Sequence, residues 1–184
     1  VIERMLALKD TNTCAYRFVL GQHERTMVDF LPLAPASEHW LRYGGIETLE
    51  SYGVAIESSD LNDSSLARVR RELAKNLPKP HLNFLRSLSL SFECGDYFFC
   101  HAGVRPGLPL KAQALDDLLW MREPFLSSTY DFGQIIVHGH SIHETPVVRP
   151  NRIGIDTGAF ASGCLTALVL EGTTRRFLST TDLA

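Results

Sequence analysis

The sequence lacks the features that mark several large functional classes. None of its apolar runs approaches the roughly 20 residues that a helix needs to cross a bilayer, and it does not open on the charged and then apolar segment of a secretory leader. It also lacks an excess of either charge, since 18 basic and 21 acidic residues give a net charge of −3. We therefore expect a cytoplasmic protein whose partners include neither nucleic acid nor a membrane.

The cysteine spacing that is typical of metal-binding sites is also absent. The chain has four cysteines, Cys14, Cys94, Cys100 and Cys164, and no two of them form a Cys-x-x-Cys pair. Each has apolar neighbours, which favours small buried thiols in a reducing compartment. A disulfide framework and a zinc ribbon are both disfavoured.

The composition that remains, 45% apolar and 21% charged, is ordinary for a globular protein. A chain of 184 residues forms one domain, or most of one. Hydrophobic spacing predicts helices over residues 1–9, 24–31, 46–52, 64–76 and 115–122, the fourth with Leu66, Val69 and Leu73 on its buried face. Gly44-Gly45 is expected to end a helix, and Pro78 and Pro80 to break one. Strands are predicted over residues 16–20, 88–93, 97–101, 134–138, 153–155, 165–170 and 175–178, with a hairpin turn at Gly95-Asp96 and with the last strand pairing back on the one before it. Helices mixed with strands, followed mostly by strands, indicate an α/β sandwich in which helices cover β-sheets.

In several places a chemically versatile side chain follows an apolar run and lies beside small residues. His101 ends the run Tyr97–Cys100 and precedes Ala102-Gly103. A histidine at the end of a strand projects into the crevice where α/β proteins bind ligands, and small neighbours let the backbone approach an ion or a phosphate. Taken alone, a hydrogen-bonded core histidine is the alternative.

The second such place contains two histidines on either side of Gly139. We expect a turn to begin at Gly139, so that His138 and His140 point in different directions. His140 would then reach the crevice, and His138 would lie beneath it and support the ligands through hydrogen bonds. His143 follows in a polar loop, where a solvated side chain is expected.

Two further segments suit phosphate chemistry. Gly21-Gln22-His23-Glu24 follows a predicted strand and opens a helix, whose N-terminus favours anions. His23 could donate a proton there, because imidazole titrates near neutral pH. Arg122 could hold a phosphate with two parallel hydrogen bonds, or it could form a surface ion pair with Glu123 or Asp117.

The motifs are more informative together than singly. In chain order they are Leu-Gly-x-His-Glu at residues 20–24, His-Ala-Gly at 101–103, Leu-Leu-Trp-x-Arg-Glu at 118–123, Gly-His-Ser at 139–141 and Ile-Asp-Thr-Gly-Ala at 155–159. This set resembles the calcineurin-like metallophosphatases, specifically the bacterial form of the phosphoprotein-phosphatase family of serine/threonine phosphatases. The resemblance extends from Val1 to about Gly172. It implies a four-layer α/β/β/α metallophosphatase sandwich with the active site at the strand ends.

The resemblance also implies roles for individual residues. The family holds two divalent metals, commonly manganese, iron or zinc, and His101 and His140 match ligands of the second one. Gln22 stands where the family has an asparagine that binds the same metal. His23 matches the histidine that protonates the leaving alkoxide, and Arg122 matches an arginine that holds the phosphate. We expect Asp156 to contact the metal ligands and hold them in position.

The chain departs from the family's pattern at its start. It has neither the Gly-Asp-x-His motif nor the Gly-Asp-x-x-Asp-Arg-Gly motif, whose side chains build the first metal site. Residues 1–184 are therefore interpreted as the C-terminal portion of a single metallophosphatase domain, incomplete at the N-terminus, with exposed edges through which it could form an oligomer. Gln22 is one methylene longer than asparagine, and a misplacement of about 1 Å can lower a rate ~100-fold.

These observations predict a metal-dependent phosphoesterase. We expect a serine/threonine protein phosphatase that acts on a phosphoprotein or a small phosphomonoester through a metal-activated water, with this chain inactive alone. A nucleotidase of the diadenosine-tetraphosphate hydrolase type has the same core motifs and stays an alternative. A third alternative is a phosphatase-like module that binds phosphate or a partner without catalysis.

Overall fold

The computed structural model describes residues 1–11, 13–31, 38–56 and 62–183. The chain separates into two compact units, Val1–Leu88 and Ser89–Ala184. The first unit is helical and the second contains all of the described strands. None of the described helices is long and apolar enough to cross a membrane.

The helical unit is built from amphipathic segments. Its helices are α1 Ile2–Asp10, α2 Gln22–Phe30, α3 Glu38–Trp40, α4 Ile46–Ser51, α5 Asp63–Asn76 and α6 Lys79–Arg86. In α5 the predicted apolar positions Leu66, Val69 and Leu73 are all buried. Asn62 caps this helix, because its side chain accepts a hydrogen bond from the backbone N–H of Ser65.

A glycine interrupts the path between α3 and α4. Leu41–Gly45 forms a π-helical turn that is kinked at Tyr43 and Gly44. Gly44 has a φ of 93°, in the left-handed region that glycine adopts without a steric penalty. The helix stop predicted at Gly44-Gly45 is therefore found at that position.

One apolar cluster holds the helical unit together. Its buried members come from helices α2 to α6 and the segments between them: Met27, Phe30, Trp40, Leu41, Leu49, Val54, Leu66, Val69, Leu73, Leu77 and Leu85. A series of polar side-chain contacts also crosses this unit. His81 contacts the hydroxyl of Tyr52 through Nδ1 at 2.9 Å and the carboxylate of Glu3 through Nε2 at 2.5 Å.

The second unit is organised around a five-stranded sheet in the order β1-β2-β3-β5-β4. Its strands are β1 Ser91–Cys94, β2 Tyr97–Cys100, β3 Ile135–His138, β4 Val147–Val148 and β5 Arg152–Gly154. A two-stranded sheet is formed by β6 Thr166–Glu171 and β7 Thr174–Ser179. Helices α7 Leu115–Trp120 and α8 Ala159–Ser162 complete the unit.

The strand directions determine where the functional residues lie. Strands β2, β3 and β5 are parallel neighbours, while β1 and β4 run antiparallel at the two edges. The core under this sheet contains Phe98, Leu118, Phe125 and Ile136, so α7 packs against the sheet. Because the three central strands are parallel, their carboxyl ends meet at one edge.

Most predicted elements are found within one or two residues of their expected bounds, including the hairpin around Gly95-Asp96 and the pairing of β6 with β7. The strand predicted over residues 16–20 is wrong, since only an isolated bridge at Val19 occurs there. The prediction of buried thiols is correct for Cys100 and wrong for the exposed Cys14 and Cys94, although all four cysteines are free.

Candidate active site

The candidate active site lies at the carboxyl ends of the three parallel strands. His101 follows β2, Gly139 and His140 follow β3, and Asp156 lies two residues beyond β5. Parallel pairing of β2 with β3 and of β3 with β5 brings these positions to the same edge of the sheet. The expectation that His101 and His140 lie at strand ends is therefore met by the register of the strands.

Backbone hydrogen bonds fix the turns at this edge. The N–H of Gly139 donates to the carbonyl oxygen of His101 at 2.8 Å, and the N–H of Ile155 donates to that of His138 at 2.9 Å. The N–H of His143 donates to the carbonyl oxygen of Asp156 at 3.0 Å. Three chain segments are thus connected beyond the last residues of their strands.

His140 has a strained backbone. Its φ of 61° is the only positive value among the described non-glycine residues, and a left-handed conformation costs a non-glycine residue roughly 1–2 kcal/mol. Its ring centroid lies 5.3 Å from that of His101, and 6.0 Å from the ring of Trp120, which meets it edge-on. Strain of this kind is concentrated at functional sites, where neighbouring structure maintains it.

The ring spacing fits the binding of one metal ion. Since a metal–imidazole bond is about 2.1 Å long, two rings on one ion have centroids roughly 5 Å apart. The observed distance is 5.3 Å. Among the described residues no group of three or more His, Cys, Asp and Glu side chains is arranged to hold a metal. The pair would thus supply two ligands, and water or phosphate oxygens could fill further positions.

A carboxylate lies behind the Gly139 turn. Asp156 Oδ1 accepts the N–H of Gly158 at 3.0 Å. Asp156 Oδ2 would be 3.7 Å from a Cβ placed on Gly139, so the carboxylate is close to the turn that carries His140. The predicted supporting role of Asp156 stays a prediction.

His138 and His140 diverge, as the Gly139 turn requires. The ring of His138 packs edge-on against Phe125 with centroids 5.0 Å apart, whereas that of His140 lies beside His101 and Trp120. Its Nδ1 lies 3.1 Å from the carbonyl oxygen of Gly139, and because a carbonyl only accepts, Nδ1 carries the proton. Burial lowers the pKa of His138 to about 4, so the ring is neutral at pH 7.

Arg122 reaches the strained turn from the end of α7. Its Nη2 donates to the carbonyl oxygen of His140 at 3.4 Å, a long bond that leaves most of the exposed guanidinium accessible. The alternative partner Asp117 pairs instead with Arg105, through bonds of 2.6 and 3.0 Å. The predicted phosphate-binding role of Arg122 stays a prediction.

Gln22 and His23 lie in the helical unit, at the start of α2. The carboxylate of Glu24 accepts the N–H of Gly21 at 3.1 Å, so the helix itself satisfies one N-terminal donor. Gln22 Oε1 is buried and accepts no hydrogen bond from any described residue. A buried amide oxygen without a donor is suited to a cation. His23 is exposed, and its role as a proton donor stays a prediction, as does metal binding by Gln22.

Two residues of the site were not singled out from the sequence. Trp120 lies beside the ring of His140 although the residue is 43% exposed. The hydroxyl of Ser141 is buried and has no hydrogen-bond partner among the described residues. Both residues belong to motifs that had been recognised, Leu-Leu-Trp-x-Arg-Glu and Gly-His-Ser, and this membership is the signal that could have identified them.

No protein-family model matches this chain, and no curated protein matches it. Its fold is similar to that of a solved structure described as "Crystal structure of a putative diadenosine tetraphosphatase". The two proteins share 19% sequence identity with a TM-score of 0.51, and the similarity covers 82% of this chain and 77% of the other. At this identity the similarity concerns the fold alone. The predicted α/β fold class is confirmed, because this chain shares a mixed α/β fold with that structure.

Proposed function

We propose that this protein is a metal-dependent phosphoesterase whose active site lies at the edge of the sheet, beside His101 and His140. The observation that best supports the proposal is the pairing of the two rings, with centroids 5.3 Å apart, where His140 is held in a strained conformation. The similarity of fold to a protein described as a diadenosine tetraphosphatase is consistent with the proposal.

The chemistry follows from the types of side chain present. A divalent cation, for which we propose Mn²⁺, would lower the pKa of a bound water and offset the charge of the phosphate. His101 and His140 would bind it through unprotonated ring nitrogens. Arg122, at the same turn, would hold phosphate oxygens with its planar fork. His23 is assigned as the proton donor to the leaving oxygen by the resemblance of its motif alone.

Hydrolysis of an aryl phosphate in the presence of Mn²⁺, measured with the chain alone and with the full-length gene product, tests the proposal. We expect His101→Ala and His140→Ala each to lower kcat/KM by more than about 100-fold, since even residues that only support a metal ligand are worth 10–100-fold. His143→Ala is the matched control, because this exposed histidine lies on the same loop and only its backbone N–H contacts Asp156. Equal losses in all three variants, or no loss in any, would contradict the proposal.

Metal binding can be measured apart from turnover. Mn²⁺ at 100 times its Kd should stabilise the fold by about 2.7 kcal/mol, and His140→Ala should remove this effect. Stabilisation by metal with no turnover would instead support the non-catalytic module. Absence of both would leave the histidine pair as a structural contact.

The substrate class has two candidates. The order of the motifs favours a phosphoserine or phosphothreonine protein, and the description of the solved neighbour favours a dinucleotide polyphosphate. Turnover of a phosphopeptide and of diadenosine tetraphosphate should be measured side by side with the same enzyme preparation. A preference of at least about tenfold in kcat/KM, equivalent to 1.4 kcal/mol, would identify the class.

A further inference from the structure

A cleft occurs in the sheet unit, away from the histidine pair. It has a volume of about 420 Å³ and is lined by residues 126–129 and 149–152. Residues 149–151 connect β4 to β5, and Arg152 is the first residue of β5. The cleft therefore lies at the amino end of β5, whereas the candidate active site lies at the carboxyl ends of the parallel strands.

The walls of this cleft are held in place by hydrogen bonds. Asn151 Nδ2 donates to the carbonyl oxygens of Ser128 and Tyr130, both at 2.9 Å. The N–H of Arg149 donates to the carbonyl oxygen of Arg152 at 2.9 Å, which closes the turn. The loop and the turn are thus joined, and the cleft between them is preformed.

Arg152 is buried, and none of the carboxylates in the described part of the chain forms an ion pair with it. Its side chain lies against Phe125, with Cζ 5.8 Å from the ring centroid, and the residue is only 8% exposed. Its Nη2 donates to the carbonyl oxygen of Leu126, and its Nη1 reaches Asn151 Oδ1 at 3.4 Å. A guanidinium has five N–H donors. The described residues therefore leave about three of them without an acceptor.

The charge around Arg152 is unbalanced. Arg149 lines the same cleft, is exposed, and adds a second guanidinium. The carboxylate of Glu123 is near enough to attract the Arg152 guanidinium electrostatically, but the two form no ion pair. Glu123 instead accepts hydrogen bonds from the hydroxyl and the N–H of Ser127, at 2.5 and 3.2 Å. Burial and the charge of Arg149 lower the pKa of Arg152, and Glu123 opposes this only in part. Two guanidinium groups, those of Arg149 and Arg152, are therefore offset by one carboxylate, and that carboxylate already accepts hydrogen bonds from Ser127.

We propose that this cleft binds a phosphate-type oxyanion through Arg149 and Arg152, at a site separate from the histidine pair. A tetrahedral oxyanion has several acceptor oxygens, which could accept hydrogen bonds from the guanidinium N–H groups that have no acceptor among the described residues. It also supplies the negative charge that a buried arginine needs. Ser128 and Thr129 carry hydroxyls in the same wall and could contact further oxygens. The anion is either free phosphate or a phosphate group on a nucleotide.

Titration of the metal-free protein tests the site independently of the proposed function. In low salt with EDTA, inorganic phosphate and ADP are added separately while backbone amide chemical shifts are followed. We expect saturable shifts at residues 126–129 and 149–152. Tighter binding of ADP would indicate a nucleotide phosphate as the ligand, and equal or tighter binding of phosphate would indicate the free ion.

The decisive variant is Arg149→Gln, because this exposed side chain can change without disturbing the core. It should weaken binding about tenfold through the loss of one charge-assisted partner. Arg176→Gln, on exposed β7, is the matched control and should leave binding unchanged. A double variant His101→Ala/His140→Ala should also bind normally. The proposal is overturned if no saturable shift occurs, if shifts occur only around residues 139–141, or if Arg149→Gln binds as well as the native protein.

Discussion

Gly103 and Gly139 each lie one or two residues from a strand-end histidine, yet their surroundings differ. A Cβ on Gly103 would come within 2.4 Å of Cδ1 of the fully buried Phe125, whereas a Cβ on Gly139 would meet nothing closer than 3.6 Å. We expect Gly103→Ala to lower the free energy of unfolding by about 1–3 kcal/mol, because the Phe125 ring must move. Gly139→Ala should change it by less than about 1 kcal/mol. Urea denaturation measures both changes in the free energy of unfolding. Equal changes would contradict the prediction, because they would show that the Phe125 ring moves at little cost.

At the scale of elements, α7 is anchored at one buried carboxylate. Asp117 accepts two hydrogen bonds from Arg105, and the carbonyl oxygen of Leu118 accepts the N–H of Ala102 next to His101. Asp117→Asn replaces one acceptor oxygen with an NH₂ group that faces the guanidinium. We expect several-fold faster hydrogen exchange at the N–H groups of Ala102 and Met121. Exposed Asp116 provides the control Asp116→Asn, and the same exchange rates in both variants would contradict this anchoring role.

The predictability of the elements depended on how local their signals are. Helix α5 and the β1–β2 hairpin follow from apolar spacing and from the Gly95-Asp96 turn, which act within a few residues. Helix α6 was missed because Pro78 and Pro80 read as breaks, although Pro80 lies in the first turn, where proline is tolerated. Strand β4 has two residues, too few to show an alternation of apolar and polar side chains, so it could not be predicted. It forms because it pairs with β5. The apolar run at residues 16–20 forms no strand, which shows that composition alone does not provide a pairing partner.

The candidate site was predictable in part for the same reason. The Gly-His-Ser motif indicates a turn and an imidazole, and the strand order then brings His140 to within 5.3 Å of His101. The edge-on contact of Trp120 with His140 depends on how α7 packs, which no local pattern encodes. The charge imbalance at Arg152 was equally invisible, because it depends on which carboxylates the fold leaves distant.

At the scale of the whole molecule, exposed apolar surface supports the prediction of an oligomer. Ile142 is 52% exposed, Phe160 88% and Leu165 62%, all in the sheet unit. We expect the protein to associate as its concentration rises, and Phe160→Ser to shift it toward the monomer by removing the most exposed ring. Light scattering over a concentration series measures this. Leu108→Ser, at a less exposed leucine elsewhere in the unit, is the control. A native protein that stays monomeric throughout would contradict the prediction.

The bond between the Gly139 N–H and the His101 carbonyl joins main-chain atoms only. Replacing either histidine with alanine removes the imidazole ring but no atom of that bond, so this edge of the sheet should keep its shape in the alanine variants. Loss of turnover in those variants could then be attributed to missing ring nitrogens instead of to a collapsed scaffold. The backbone thus allows both imidazole rings to be removed while the turn that carries them is kept.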